Sequence, residues 1–74
     1  MIKLYTKNNC FQCRMAKQLL YKSGIEYDEI NINDNPEVIK SLKKLGIRQM
    51  PVGMIGNEIV FKGFEVEKIK ELGK

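Results

Sequence analysis

The sequence predicts an α/β fold with element order β-α-β-α-β-β-α and a four-stranded mixed sheet, and three observations predict it. First, a short β-prone alternation at the N-terminus gives way to apolar positions at helical spacing and then to extended character. A strand-helix-strand opening of this kind implies a right-handed parallel crossover. Second, NDNPEVIKSLKKLG, residues 33–46, carries helix punctuation at both ends. Third, two short apolar runs flank Gly56-Asn57, whose tolerance of positive φ signals a hairpin and adds an antiparallel pair. Helices are expected over both faces of the sheet.

Each element has its own reason. Ile2 to Thr6 alternates and reads as a strand. Lys7 to Asn9 is a polar loop. From Cys10 to Ser23 the residues Met15, Leu19 and Leu20 recur at helical spacing, and Gly24 is a natural C′ stop. Tyr27 to Asn33 returns to extended character. In the next helix Asp34 or Asn35 can cap, Pro36 suits the first turn, and Glu37 complements the dipole. Val38, Leu42 and Leu45 form its stripe and Gly46 ends it. The hairpin strands are Val52 to Ile55 and Glu58 to Phe61. Val66, Ile69 and Leu72 mark a last amphipathic helix after Gly63.

At 74 residues the chain is expected to form one domain, 1–74, with a modest core. No stretch approaches the roughly 20 apolar residues of a membrane span. MIKLYTK lacks a long apolar h-region, so no signal peptide is expected and the cytoplasm is the expected compartment. In that compartment a cysteine pair points to catalysis or metal binding rather than a permanent staple. The formal charge of +4 raises nucleic acid as a partner, but the lysines are scattered among acidic residues. With no arginine-rich run and no aromatic ladder, nucleic acid is not expected.

The chemistry lies in CFQC, residues 10–13, at the end of the first strand and the start of the first helix. A helix mouth has unpaired N–H groups and partial positive charge. A Cys10 thiolate there is stabilised and nucleophilic at neutral pH. Cys13 sits a turn further in, within reach for a short disulfide loop, and Lys7 and Arg14 add positive potential. Exchange chemistry follows: Cys10 attacks a substrate disulfide, and Cys13 then attacks Cys10 and releases the reduced substrate. A structural zinc site wants four Cys or His ligands, whereas this chain has two cysteines and no histidine. Small copper carriers also place CxxC at a strand-helix junction, but usually with a Met two residues before the first Cys, where Asn8 stands here. No metal and no cofactor beyond the Cys10–Cys13 redox disulfide is therefore expected.

Met50-Pro51 stands at the entry to an apolar strand, some forty residues after the CxxC. This resembles the cis-proline facing the dithiol in the thioredoxin fold, where the preceding residue, here Met50, offers its backbone to substrate. Taken alone, the proline also suits a plain loop-to-strand boundary.

Three segments together, LYTKNNCFQC, IRQMP and KGF, make the chain similar to the glutaredoxin branch of the thioredoxin superfamily, and within it to the NrdH-type redoxins. Gln12 inside the motif and Arg48-Gln49 before the proline carry the match most strongly. The resemblance implies a minimal thioredoxin fold and a small electron carrier that reduces protein disulfides. It implies thioredoxin reductase as electron donor and ribonucleotide reductase as client. A monomer is expected, because a dimer-bridging cluster needs ligands of which this chain supplies only two. Carried over, Cys10 is the nucleophile and Cys13 resolves. Lys7 lies beside the thiolate, while Phe11, Gln12, Arg48, Gln49, Met50, Pro51, Gly63 and Phe64 edge the docking surface. Two departures stand out. Phe61-Lys62 replaces the family's Trp-Ser before the glycine, and Glu65 stands where glutathione-using glutaredoxins keep an acidic residue. Glutathione-dependent reduction is the alternative reading.

Overall fold

The computed structural model describes residues 1–73 and contains β1 (Ile2–Thr6), α1 (Phe11–Lys22), β2 (Tyr27–Asn31), α2 (Pro36–Lys44), β3 (Val52–Ile55), β4 (Glu58–Lys62) and α3 (Val66–Leu72). The four strands form one mixed sheet in the order β2-β1-β3-β4. β1 and β2 run parallel, with Ile2 opposite Tyr27 and Thr6 opposite Asn31. β3 is antiparallel to both β1 and β4, and its register with β4 shifts between Gly53 and Met54.

Alternation along β1 distributes side chains between two cores. Ile2 and Leu4 pack with Ala16 and Leu20 of α1, Phe61 of β4 and Ile69 of α3. On the other face Tyr5, Val52 and Met54 join Leu42 of α2, Ile47, Met50 and Cys13. The helices thus cover both faces, α1 and α3 on one and α2 on the other. Gly53 faces the first core, where a Cβ would run into the Phe61 ring.

Helix ends explain where the expected boundaries move. Cys10 adopts an extended conformation and caps α1 instead of opening it, and Ser23 caps the other end. Gly24 takes φ +70°. Ile25 N–H bonds Leu20 C=O, and Gly24 N–H bonds Tyr21 C=O, which is a Schellman closure. α2 ends the same way, with Gly46 at φ +77° and the Ile47-to-Leu42 and Gly46-to-Lys43 bonds. β2 stops at Asn31, short of the expected Asn33, because the chain turns there through backbone bonds from Asp34 to Asn31 and from Asn35 to Ile32. Asn35 is the N-cap of α2, but its side chain makes no cap bond and donates to the Asn31 carbonyl instead. In the hairpin only Gly56 takes a positive φ.

Candidate active site

CFQC lies where β1 delivers the chain to α1. The Cys10 Sγ accepts a hydrogen bond from the Cys13 amide at 3.1 Å. No acidic residue occupies the first turn of α1, so the free N–H groups meet no other side-chain anion there. Cys10 and Cys13 are joined as a disulfide, with Cα atoms 5.2 Å apart. Cys13 is 2% exposed and packs against the α2-side core. Cys10 is partly open and its neighbour Phe11 is 71% exposed.

The loop before Cys10 is held by an asparagine network. The Asn8 amide donates to Asn33 Oδ1 at 2.7 Å, and Asn31 Nδ2 donates to Asn8 Oδ1 at 2.9 Å. Asn31 Oδ1 in turn accepts from the Asn33 amide. Asn9 then takes φ +55°, a conformation that asparagine tolerates better than most residues. Beneath this loop lies Thr6, the one buried polar side chain among the described residues. Its hydroxyl donates to Glu29 Oε2 at 2.8 Å, and Lys17 pairs with the same carboxylate at 3.4 Å. Asn8, Asn9 and Asn31, with Thr6, Lys17 and Glu29 and with Lys7, Cys10 and Cys13, line a cavity of about 300 Å³. Sequence reasoning passed over these polar partners. The available signals were the density of asparagines in NN and NINDN, and a threonine in the same inward register as Ile2 and Leu4.

Other candidate residues gather from the β3 side. The Met50-Pro51 peptide bond is cis, as the resemblance implies. Met50 is buried with Cys13 in one cluster. The Gly63 amide donates to the Pro51 carbonyl at 2.7 Å. Gly63 also lies against Gln49, whose Nε2 would be 3.2 Å from a Cβ at that position. Arg48 and Gln12 are exposed. Arg48 and Lys7 line a second groove beside Met50. Phe64, next to Gly63, packs on the α1–α3 core and lines a groove with Met15 and Leu19.

The Glu65 carboxylate is engaged locally. It accepts from the Lys62 amide at 2.8 Å and pairs with Lys68 at 3.3 Å. The amide bond, and after it Lys68, holds its pKa below the ordinary carboxylate value. Among the described residues, no group of three or more His, Cys, Asp or Glu could hold a metal ion.

Comparison with known proteins places this geometry. The glutaredoxin family profile matches residues 2–60. The NrdH glutaredoxin-like protein of Lactococcus lactis subsp. lactis is 38% identical over 72 residues, which span 97% of this chain and 99% of that one. The chain belongs to the glutaredoxin family, in its NrdH-type branch. Its fold superposes on the glutaredoxin-like NrdH-redoxin of Escherichia coli, a protein with a thioredoxin-like activity profile, with a TM-score of 0.88. That match has 34% identity and covers 96% of this chain and 92% of the other. A glutaredoxin from Archaeoglobus fulgidus matches at a TM-score of 0.80 and 25% identity, over 96% of this chain and 83% of that one. As an NrdH-type glutaredoxin with two cysteines at disulfide distance, the chain is a thiol–disulfide oxidoreductase. No helix is long and apolar enough to cross a membrane among the described residues.

Proposed function

We propose that this chain is a cytoplasmic, monomeric, single-domain carrier that reduces protein disulfides, is itself reduced by thioredoxin reductase, and serves ribonucleotide reductase. The observation that carries the disulfide-reductase reading is the unequal placement of the two sulfurs: Cys10 partly open at a helix mouth, Cys13 buried one turn behind it.

In the forward reaction the Cys10 thiolate attacks one sulfur of the client disulfide. A Cys10–client bond forms, the client S–S bond breaks, and the departing client thiolate takes a proton. Cys13 then gives up its proton and attacks the Cys10 Sγ. The Cys10–Cys13 bond forms as the mixed disulfide breaks, and the second client thiol leaves protonated. Two electrons pass from the dithiol to the client; of the two protons the client gains, one is Cys13's and the other comes from solvent. Thioredoxin reductase returns the electrons from NADPH. No metal or organic cofactor takes part.

Lys7 adds positive potential beside the thiolate, and Phe11, Gln12, Arg48, Gln49, Met50, Pro51, Gly63 and Phe64 form the docking rim, with Met50 pairing its backbone to an extended client segment. The likeness to NrdH-type redoxins supports the choice of donor and client. The Glu65 carboxylate, which already serves the Lys62 amide and Lys68, supports only the choice of a donor other than glutathione. The test is NADPH-coupled reduction of a small disulfide, run once with thioredoxin reductase and once with glutathione plus glutathione reductase. Turnover with thioredoxin reductase alone is expected. Turnover with glutathione alone overturns the choice of donor and makes the chain a glutathione-dependent glutaredoxin.

A further inference from the structure

Beside the dithiol lies a groove of about 460 Å³, in the size range of small-molecule and peptide side-chain sites. Its floor is apolar: Ile32 from the β2–α2 turn, Ile39 and Leu42 from α2, and Ile47 and Met50 from the segment entering β3. Its rim is cationic, made by Lys7, Lys43 and Arg48, and none of its lining residues carries a carboxylate. Among the described residues, none of these three cations is in an ion pair; the two ion pairs are Lys17–Glu29 and Lys68–Glu65. The rim therefore presents three positive charges of unspent potential over a hydrophobic floor.

The groove and the redox centre share walls. Lys7 lines both the groove and the cavity that contains Cys10 and Cys13. Met50, Leu42 and Ile47 pack in the same cluster as Cys13. A peptide whose cysteine is bonded to Cys10 would thus run its flanking residues toward this groove.

We propose that the groove is a second recognition site that holds an acidic segment of the client protein, next to its reacting disulfide, with an apolar side chain on the isoleucine and leucine floor. Charge complementarity selects the occupant: unpaired lysine and arginine over apolar carbon favour a segment mixing Asp or Glu with Leu, Ile or Phe. A basic segment meets three like charges. Complementary charge acts chiefly on encounter rate and partner choice, so the signature is selectivity that fades with salt. This inference rests on protein disulfides being the substrate.

The experiment uses the full chain, reduced in advance, and three cystine-containing peptides whose flanks are acidic-apolar, neutral-apolar or basic-apolar. The second-order rate of peptide reduction is followed at low and at near-physiological salt. At low salt the acidic peptide is expected to react on the order of 10-fold faster than the neutral one, and the basic peptide slower. The gap narrows as salt rises. Lys43→Glu removes the preference. Lys22→Glu, an equal change of charge at the end of α1, keeps it. In a two-dimensional NMR titration the acidic peptide shifts the methyl signals of Ile39, Leu42 and Ile47. Equal rates for all three peptides would overturn the groove assignment and leave disulfide reduction intact. A Lys22→Glu effect as large as that of Lys43→Glu would reduce the preference to net charge and also overturn it. Failure to reduce any peptide sinks the groove together with the disulfide-reductase reading.

Discussion

The backbone amide of Gly63 donates to the Pro51 carbonyl at 2.7 Å, which ties the β4–α3 turn to the segment whose Met50 packs with Cys13. Gly63 has φ +74° and a Gln49 side chain 3.2 Å from where a Cβ would sit. A left-handed residue with a Cβ costs about 1–2 kcal/mol. Gly63→Ala should therefore lower stability by roughly that amount, read as a drop in the urea midpoint at unchanged slope, and should slow disulfide reduction by displacing Gln49. Wild-type stability and rate would sink this account of the turn.

Cys10→Ser should abolish disulfide reduction. Cys13→Ser should still attack and then stall, leaving a mixed disulfide between Cys10 and the client that intact-mass spectrometry detects. Retained turnover in the first variant, or only free protein in the second, would refute the division of roles.

In the reduced protein the ultraviolet absorbance of the Cys10 thiolate should titrate below the free-thiol value of about 8.5. The cause is the mouth of α1, where the Cys13 amide already points at the sulfur from 3.1 Å. An unshifted titration would remove that cause. Asn31→Ala, which frees the Asn8 loop, should move the curve back toward the free-thiol value.

Gly53→Ala drives a Cβ into the Phe61 ring, which is itself 1% exposed. Overpacking of this sort costs typically 1–3 kcal/mol, so thermal unfolding should shift downward by several degrees. Phe61→Leu alone opens a void, but combined with Gly53→Ala it should recover part of the loss. Strict additivity in the double-mutant cycle would mean that the two residues do not share space.

Glu65 carries the pH prediction. Its pKa is lowered in the folded protein, chiefly by the Lys62 amide, so the unfolded chain binds the proton more tightly. The stability it contributes is present above the unfolded value and is lost as pH falls through the lower folded value. Glu65→Gln should flatten the decline of stability on the acid side of the ordinary value of 4.5 and leave neutral-pH catalysis intact. An unchanged acid slope would show that this carboxylate's contacts contribute nothing measurable.

The parts of this molecule that local chemistry specifies were readable from residues. The Gly24 and Gly46 stops close α1 and α2 with the same pair of backbone bonds, and these need only a glycine followed by an apolar residue. The dithiol was legible because CxxC at a strand-helix junction has a distinct chemical use. Boundaries failed where two local partners compete for the same group. Asn35 looked like a side-chain cap, yet its Nδ2 bonds the Asn31 carbonyl. β2 ends early because its last residue belongs to a turn. Thr6, Glu29 and Lys17 meet only after the crossover is formed, across 23 and 12 positions of sequence. No local pattern encodes that meeting.

With Cys13 sealed in the core, the molecule has a single port for electrons. A reductant filling the dithiol and a client draining it must reach the same sulfur, so the two cannot be aboard together. Traffic is then strictly alternating: steady-state plots against the two partners should be parallel lines, and an excess of either partner should obstruct the other. The carrier behaves as a one-berth ferry, and its throughput depends on how quickly each passenger leaves.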